Sequence, residues 1–80
     1  MEKYFVYAIK SKKYDRIYVG ISKNPEQRLI EHNSGENKST KFYRPWQIIY
    51  KKFIGSRQKS RQEEKRLKSG FGKEFLKSLG

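Results

Sequence analysis

The sequence predicts an α+β domain whose elements run β-β-α-β-α-α. Three observations predict it. Two short runs of aromatic and β-branched residues, Tyr4 to Ile9 and Ile17 to Ile21, flank a polar stretch and read as a hairpin. Asn24-Pro25-Glu26-Gln27 opens a helix that Gly35 would close. A third strand-like run ends at Gly55, and from there to the end the pattern is helical. The 80 residues are expected to form one domain, residues 1–80. Only 34% are hydrophobic but 15% are aromatic, so the core should be small and ring-rich.

In the first strand Phe5, Tyr7 and Ile9 share one face, and Tyr4, Val6 and Ala8 the other. Residues 11–16 form a turn. In the second strand Tyr18 and Gly20 share a face, opposite Ile17, Val19 and Ile21. A register pairing odd with even positions would place Tyr7 and Tyr18 on the same face. Gly20 inside a strand suggests a bulge or a close neighbour. The helix from Pro25 to Asn33 or Ser34 has Asn24 as cap and Pro25 at its first position. Arg28 and His32 share one of its faces, while Leu29 and Ile30 point toward a core. Residues 35–45 read as a loop, polar at first and then basic and aromatic. Trp46 to Ile54 is a longer strand carrying Lys51-Lys52. The helix Ser56 to Ser69 has Leu67 as its sole large apolar residue and so has little to bury. In the last helix Phe71, Phe75, Leu76 and Leu79 make one apolar face, expected to pack back onto the sheet.

The charge is one-sided: 20 Lys and Arg against 8 Asp and Glu, for a net +12. Residues 41–60 carry six cations and no acid. Such self-repulsion points to a polyanionic partner, with nucleic acid first. A membrane is not expected, since no apolar run approaches the roughly 18 residues of a span and no signal-peptide pattern begins the chain. The absence of cysteine excludes disulfides and thiolate zinc sites, and fits a cytoplasmic protein.

Each candidate has a plain reading beside a chemical one. Tyr7 and Tyr18 suit cross-strand packing; as chemistry, one phenol would move a proton, and a phenolate needs nearby positive charge. Arg28 matches phosphate with its planar fork, and His32, the sole histidine, can relay a proton near neutral pH. Glu64 has Arg61 and Lys68 at helical spacing as ion-pair partners; as chemistry, it is a ligand for Mg²⁺, which needs few carboxylates when phosphate supplies other oxygens. Glu26, Glu31 and Glu63 compete for that role. Lys51, Lys52, Arg57, Arg61 and Lys68 belong to a dense basic stretch. Lys38, Lys41 and Arg44 set Phe42 and Tyr43 among cations, which suits a backbone grip with base stacking. No helix-turn-helix or finger pattern suggests sequence-specific readout.

The ordered set Tyr7, Tyr18-Val19-Gly20, Arg28 with His32 four residues on, and Glu64 resembles the GIY-YIG nuclease superfamily over nearly the whole chain. It looks closest to the small single-domain bacterial branch related to the N-terminal catalytic part of the UvrC excision nuclease. Residues 28–35, Ser39-Thr40, Arg44-Pro45-Trp46 and residues 64–70 look like family segments. The resemblance implies a three-stranded antiparallel sheet flanked by helices. It also implies phosphodiester hydrolysis with one divalent ion, Mg²⁺ or Mn²⁺.

Carried over by position, Tyr7, Tyr18, Arg28 and His32 are the catalytic set and Glu64 the metal ligand, with Gly20 structural beside the site. Tyr7, aided by His32 or Tyr18, would activate water, and Arg28 would relieve phosphoryl charge. The chain departs from the pattern twice. Phe5-Val6-Tyr7 lacks the glycine that names the first half-motif, and Ile21 stands where the UvrC-like pattern tends to have lysine.

The expected function is a metal-dependent endonuclease on DNA, with RNA as the other substrate, low sequence specificity, and repair or recombination as its setting. The alternative is a binding module that grips DNA or RNA on the same scaffold without cutting. With no recognition domain in these residues, target choice falls to nucleic-acid structure or a partner protein.

Overall fold

The computed structural model describes residues 2–79. The elements are β1 (Tyr4–Ser11), β2 (Ile17–Ser22), α1 (Pro25–Ser34), α2 (Lys38–Lys41), β3 (Trp46–Gly55), α3 (Arg57–Leu67) and α4 (Gly70–Leu79). The strands form one antiparallel sheet in the order β2-β1-β3, with β1 in the middle. The α+β class and the three-stranded antiparallel sheet are as expected. The order is β-β-α-α-β-α-α, because a single turn of helix, α2, forms inside the expected loop. Asn37 caps it by accepting from the Ser39 amide, and polar residues too few for an apolar period gave no sign of it.

The hairpin pairs Tyr7 with Gly20 and Ile9 with Tyr18, so odd does pair with even and both tyrosines lie on one face. Central β1 is covered on both sides. On one side Val6, Ala8 and Val19 pack with Leu67 of α3 and Leu76 of α4. On the other, Tyr7, Ile9 and Trp46 are buried, with Tyr18, Leu29, Tyr43 and Ile48 against them. A register shift between Ala8 and Ile9 lets β3 serve both layers. Ile48 joins the tyrosine side while Ile49 and Tyr50 both join the other.

The α1 boundaries match expectation. Asn24 Oδ1 accepts from the Gln27 amide, and Gly35, at φ 87°, ends the helix in the left-handed region. Its C-terminal turn is fastened to β3 through one side chain. Asn33 Nδ2 donates to the Trp46 carbonyl at 3.1 Å, and its Oδ1 accepts from the Trp46 amide at 2.6 Å.

Two expectations about apolar faces are corrected. Ile30 is 61% exposed, since α1 meets the sheet through Leu29 and His32. In α4 only Leu76 of the expected face is buried, and Phe71 is 93% exposed. The contact stripe runs through Gly72 and Leu76 instead. A Cβ on Gly72 would sit 2.3 Å from the Leu67 carbonyl oxygen, so α4 crosses the end of α3 where only glycine fits. Phe75 makes an edge contact with Tyr50, 5.7 Å between ring centres, and stays 45% exposed.

Candidate active site

Four of the expected residues gather on the tyrosine side of the sheet. Tyr7, fully buried, reaches from the central strand so that its hydroxyl lies over Gly20 of β2. A Cβ there would meet the Tyr7 oxygen at 2.9 Å and Tyr18 Cε1 at 3.1 Å. Gly20 thus pairs regularly in the strand and makes no bulge; the close neighbour it admits is the phenol of Tyr7. The Tyr7 hydroxyl is 3.1 Å from His32 Nε2. The Tyr18 ring packs on the His32 ring with centres 4.8 Å apart and lies 6.4 Å from the Tyr7 ring. Arg28 stands one turn before His32 on α1 and pairs with Glu31 at 2.8 Å.

The direction of the hydrogen bonds follows from Thr40, which along the sequence stands out only as part of a family segment. Thr40 Oγ1 lies 2.8 Å from His32 Nδ1, and its hydroxyl donates to the Asn37 carbonyl. Nδ1–H must then donate to Thr40, leaving Nε2 as the acceptor for the Tyr7 hydroxyl. Thr40 is buried, and its carbonyl accepts from Trp46 Nε1 at 2.9 Å, so α2 is pinned under the imidazole. The short helix that the sequence did not reveal is what fixes the histidine tautomer.

Electrostatics agree with that assignment. Burial pushes the His32 imidazole below its usual value, with further push from Arg28, against a weaker pull from Glu31. His32 is therefore a neutral base at neutral pH. Burial likewise raises the Tyr7 phenol above its usual value, while the Arg28 guanidinium beside it pulls the other way. A phenol held neutral, a neutral base at its hydroxyl and a guanidinium alongside can pass one proton without leaving an uncompensated buried anion.

Glu64 pairs with cations of its own helix rather than with any of these four. It lies on α3, whose next buried residue, Leu67, packs on the opposite face of the sheet. Its carboxylate is largely buried and holds Arg61 at 3.0 Å and Lys68 at 3.2 Å, the two partners that its spacing offered. Ser60, Glu64 and Leu67 form the inward stripe of α3, which explains how a helix with one large apolar residue packs at all. Among the described residues no three His, Asp or Glu side chains cluster. A metal here would rest on Glu64 alone, completed by water and phosphate oxygens. That suits Mg²⁺ or Mn²⁺.

The eight expected nucleic-acid contacts are divided between the two faces. Lys51 lies opposite Tyr7 and pairs with Glu26; Lys52, opposite Val6, faces the other way. Arg57 opens α3, and Arg61 and Lys68 hold Glu64. Lys38 and Lys41 belong to α2, and Arg44 donates through Nε to the Lys41 carbonyl.

A β-hairpin carrying a tyrosine on each strand, followed by a helix with an arginine and a histidine on the face that meets them, defines a class of nuclease domain. The sequence profile of the GIY-YIG catalytic domain matches residues 3–77, and the chain belongs to the GIY-YIG family. Over 80 residues it is 32% identical to a UPF0213 protein of Staphylococcus saprophyticus, covering 99% of this chain and 96% of the relative. UPF0213 proteins of Staphylococcus haemolyticus and Staphylococcus epidermidis are 31% and 30% identical over the same shares of each chain. No solved structure is a significant match. The family is one of nucleases, generally dependent on a divalent metal, so the substrate class is nucleic acid. Among the described residues no helix is long and apolar enough to cross a membrane.

Proposed function

We propose that this chain, acting as one domain over residues 1–80, is an endonuclease that hydrolyses phosphodiester bonds in DNA with a divalent metal and little sequence preference. The observation that carries the reading is the buried chain from Tyr7 through His32 to Thr40 with Arg28 beside the phenol. The Tyr7 oxygen takes a proton from water as its own proton passes to His32 Nε2. The hydroxide so formed attacks phosphorus, the bond to the leaving oxygen breaks on the opposite side, and that oxygen takes a proton from solvent while His32 returns its own through Tyr7 to water. Arg28 offsets the negative charge that builds on the phosphoryl oxygens. Tyr18 packs on the imidazole and keeps it facing Tyr7. Glu64 would hold the Mg²⁺ or Mn²⁺ ion, which as a Lewis acid supplies charge neutralisation at the phosphate and leaving oxygen. For a metal to bind, Arg61 and Lys68 must release the carboxylate, and incoming phosphates give those cations a new partner.

The test is nicking of supercoiled plasmid and of a branched DNA with Mg²⁺ or Mn²⁺. Arg28→Ala and Glu64→Ala should each slow cleavage by about 10²-fold or more while DNA binding persists. Full activity in both variants would sink the assignment of the site.

One observation favours the alternative of a binding module that does not cut. Both oxygens of Glu64 are already taken by cations. Salt-sensitive binding of DNA or RNA, with no cleavage in either metal, would select that reading.

A further inference from the structure

Next to the candidate active site the structure assembles a second feature from two segments far apart in sequence. The turn between β1 and β2 brings Tyr14 against Phe42, the residue that caps α2. The ring centres are 5.5 Å apart. Tyr43 closes the group, edge-on to Tyr14 at 5.4 Å and to Phe42 at 5.1 Å. The Lys12 amide donates to the Pro45 carbonyl and ties the turn to the loop before β3. Phe42 is 70% exposed and Tyr14 44% exposed, so the cluster opens to solvent. Tyr43 roots it in the layer that holds Tyr7 and Trp46.

An exposed ring cluster on a chain with little apolar residue to spare requires an occupant. Charge says which kind. Arg16 lies over the Tyr43 ring at 4.8 Å. Lys13, Lys41 and Arg44 line the recess beside Phe42. Across residues 12–16 and 38–44 there are six cations and one acid, Asp15. An apolar protein surface would meet repulsion from any basic partner here. A nucleic-acid strand satisfies both halves, with a base on the rings and phosphates on the rim.

We propose that Tyr14, Phe42 and Tyr43 form a stacking platform for an unpaired nucleobase of the strand held at the active site. This rests on the nuclease reading for the role of the bound strand, though not for the binding itself. A paired base in a duplex keeps its faces within the helix and gains nothing from such a platform, so the substrate presents unpaired nucleotides beside the bond to be cut. The placement also ties recognition to chemistry. Thr40 orients His32 from the same short helix that Phe42 caps, so a base seated on Phe42 bears on the element that holds the imidazole.

The experiment measures binding by fluorescence anisotropy without metal, so that cleavage plays no part. The probes are labelled oligothymidine and oligouridine strands of about fifteen nucleotides and a blunt duplex of matching length. Phe42→Ala should weaken single-strand binding about 5- to 100-fold and duplex binding less than about twofold, with the salt dependence unchanged because no phosphate contact is lost. Phe42→Trp should restore binding, and Tyr14→Ala should repeat the loss. Equal loss on duplex and single strand, or no loss, would overturn the platform. So would a concentration-dependent dimer that Phe42→Ala abolishes, since the rings would then be a self-association surface. A chain that stacks single strands but never cuts keeps the platform and loses the nuclease; one that cuts with Phe42→Ala binding unchanged does the reverse.

Discussion

The two faces of the sheet are built from the same strands and solve different problems. Under α3 and α4, the layer of Val6, Ala8, Val19, Leu67 and Leu76 is apolar, and the buried polar residues of α3, Ser60 and Glu64, bond within their own helix. Under α1 and α2, an equally buried layer contains a phenol, an imidazole and a hydroxyl, each bonded to the next. Apolar contact is non-directional and tolerates small displacement, whereas a buried polar chain holds only in the geometry that satisfies every member. The first face therefore supplies stability and the second supplies position.

The strongest way to break this division is to remove an anchor of the apolar face. Leu67→Ala should lower the unfolding free energy by about 2–5 kcal/mol, measured by urea denaturation. That is a large part of the margin of so small a domain. Cleavage per folded molecule should remain. If activity falls while stability holds, the two faces are not separate in role.

On the other face, Arg28→Ala should reduce cleavage about 10²- to 10³-fold and leave the melting temperature nearly unchanged, because its pair with Glu31 is half exposed. A melting temperature that collapsed with the activity would make Arg28 structural.

Thr40→Val tests the imidazole's support more gently. Loss of the acceptor at Nδ1 should cost about tenfold in rate and displace the acid limb of the pH–rate profile, while Thr40→Ser restores both. A Val variant with wild-type rate and profile would show that the imidazole does not need Thr40.

The same buried base gives a pH signature to stability. His32 is held below the 6.5 of a free imidazole, and the unfolded chain takes up its proton near that value. The unfolded state then binds more protons in the acid range, so stability is full above about 6.5 and falls as the pH drops through the lowered folded value. Melting scans from about pH 5 to 8 should show this slope, and His32→Gln should flatten it. The smallest effect is expected at Phe71. At 93% exposure, Phe71→Ser should shift stability by no more than about 0.5 kcal/mol. A larger loss would mean that α4 buries the ring.

Much of the fold was legible in local chemistry. The Asn24 cap, Pro25 and Gly35 bounded α1 because caps act within a few residues, and the alternation in both hairpin strands put Tyr7 and Tyr18 on one face. What misled was periodicity without context. Phe71 and Phe75 carry the right spacing for a buried stripe, but the close crossing at Gly72 rotates α4 and buries Leu76 instead.

By itself the sequence determined the strands, the main helices and the polyanion-seeking charge, and its resemblance to the GIY-YIG nucleases marked Tyr7, Tyr18, Arg28 and His32 as one set. The strands and helices follow from spacing along the chain, which converts directly into shared faces. Only the tertiary structure decided that Thr40 sets the imidazole, that Gly20 makes room for the Tyr7 hydroxyl, and that Tyr14 meets Phe42. Each of these joins residues whose separation along the chain carries no period. Long-range packing brings such pairs together, and a spacing pattern records only what one element does alone.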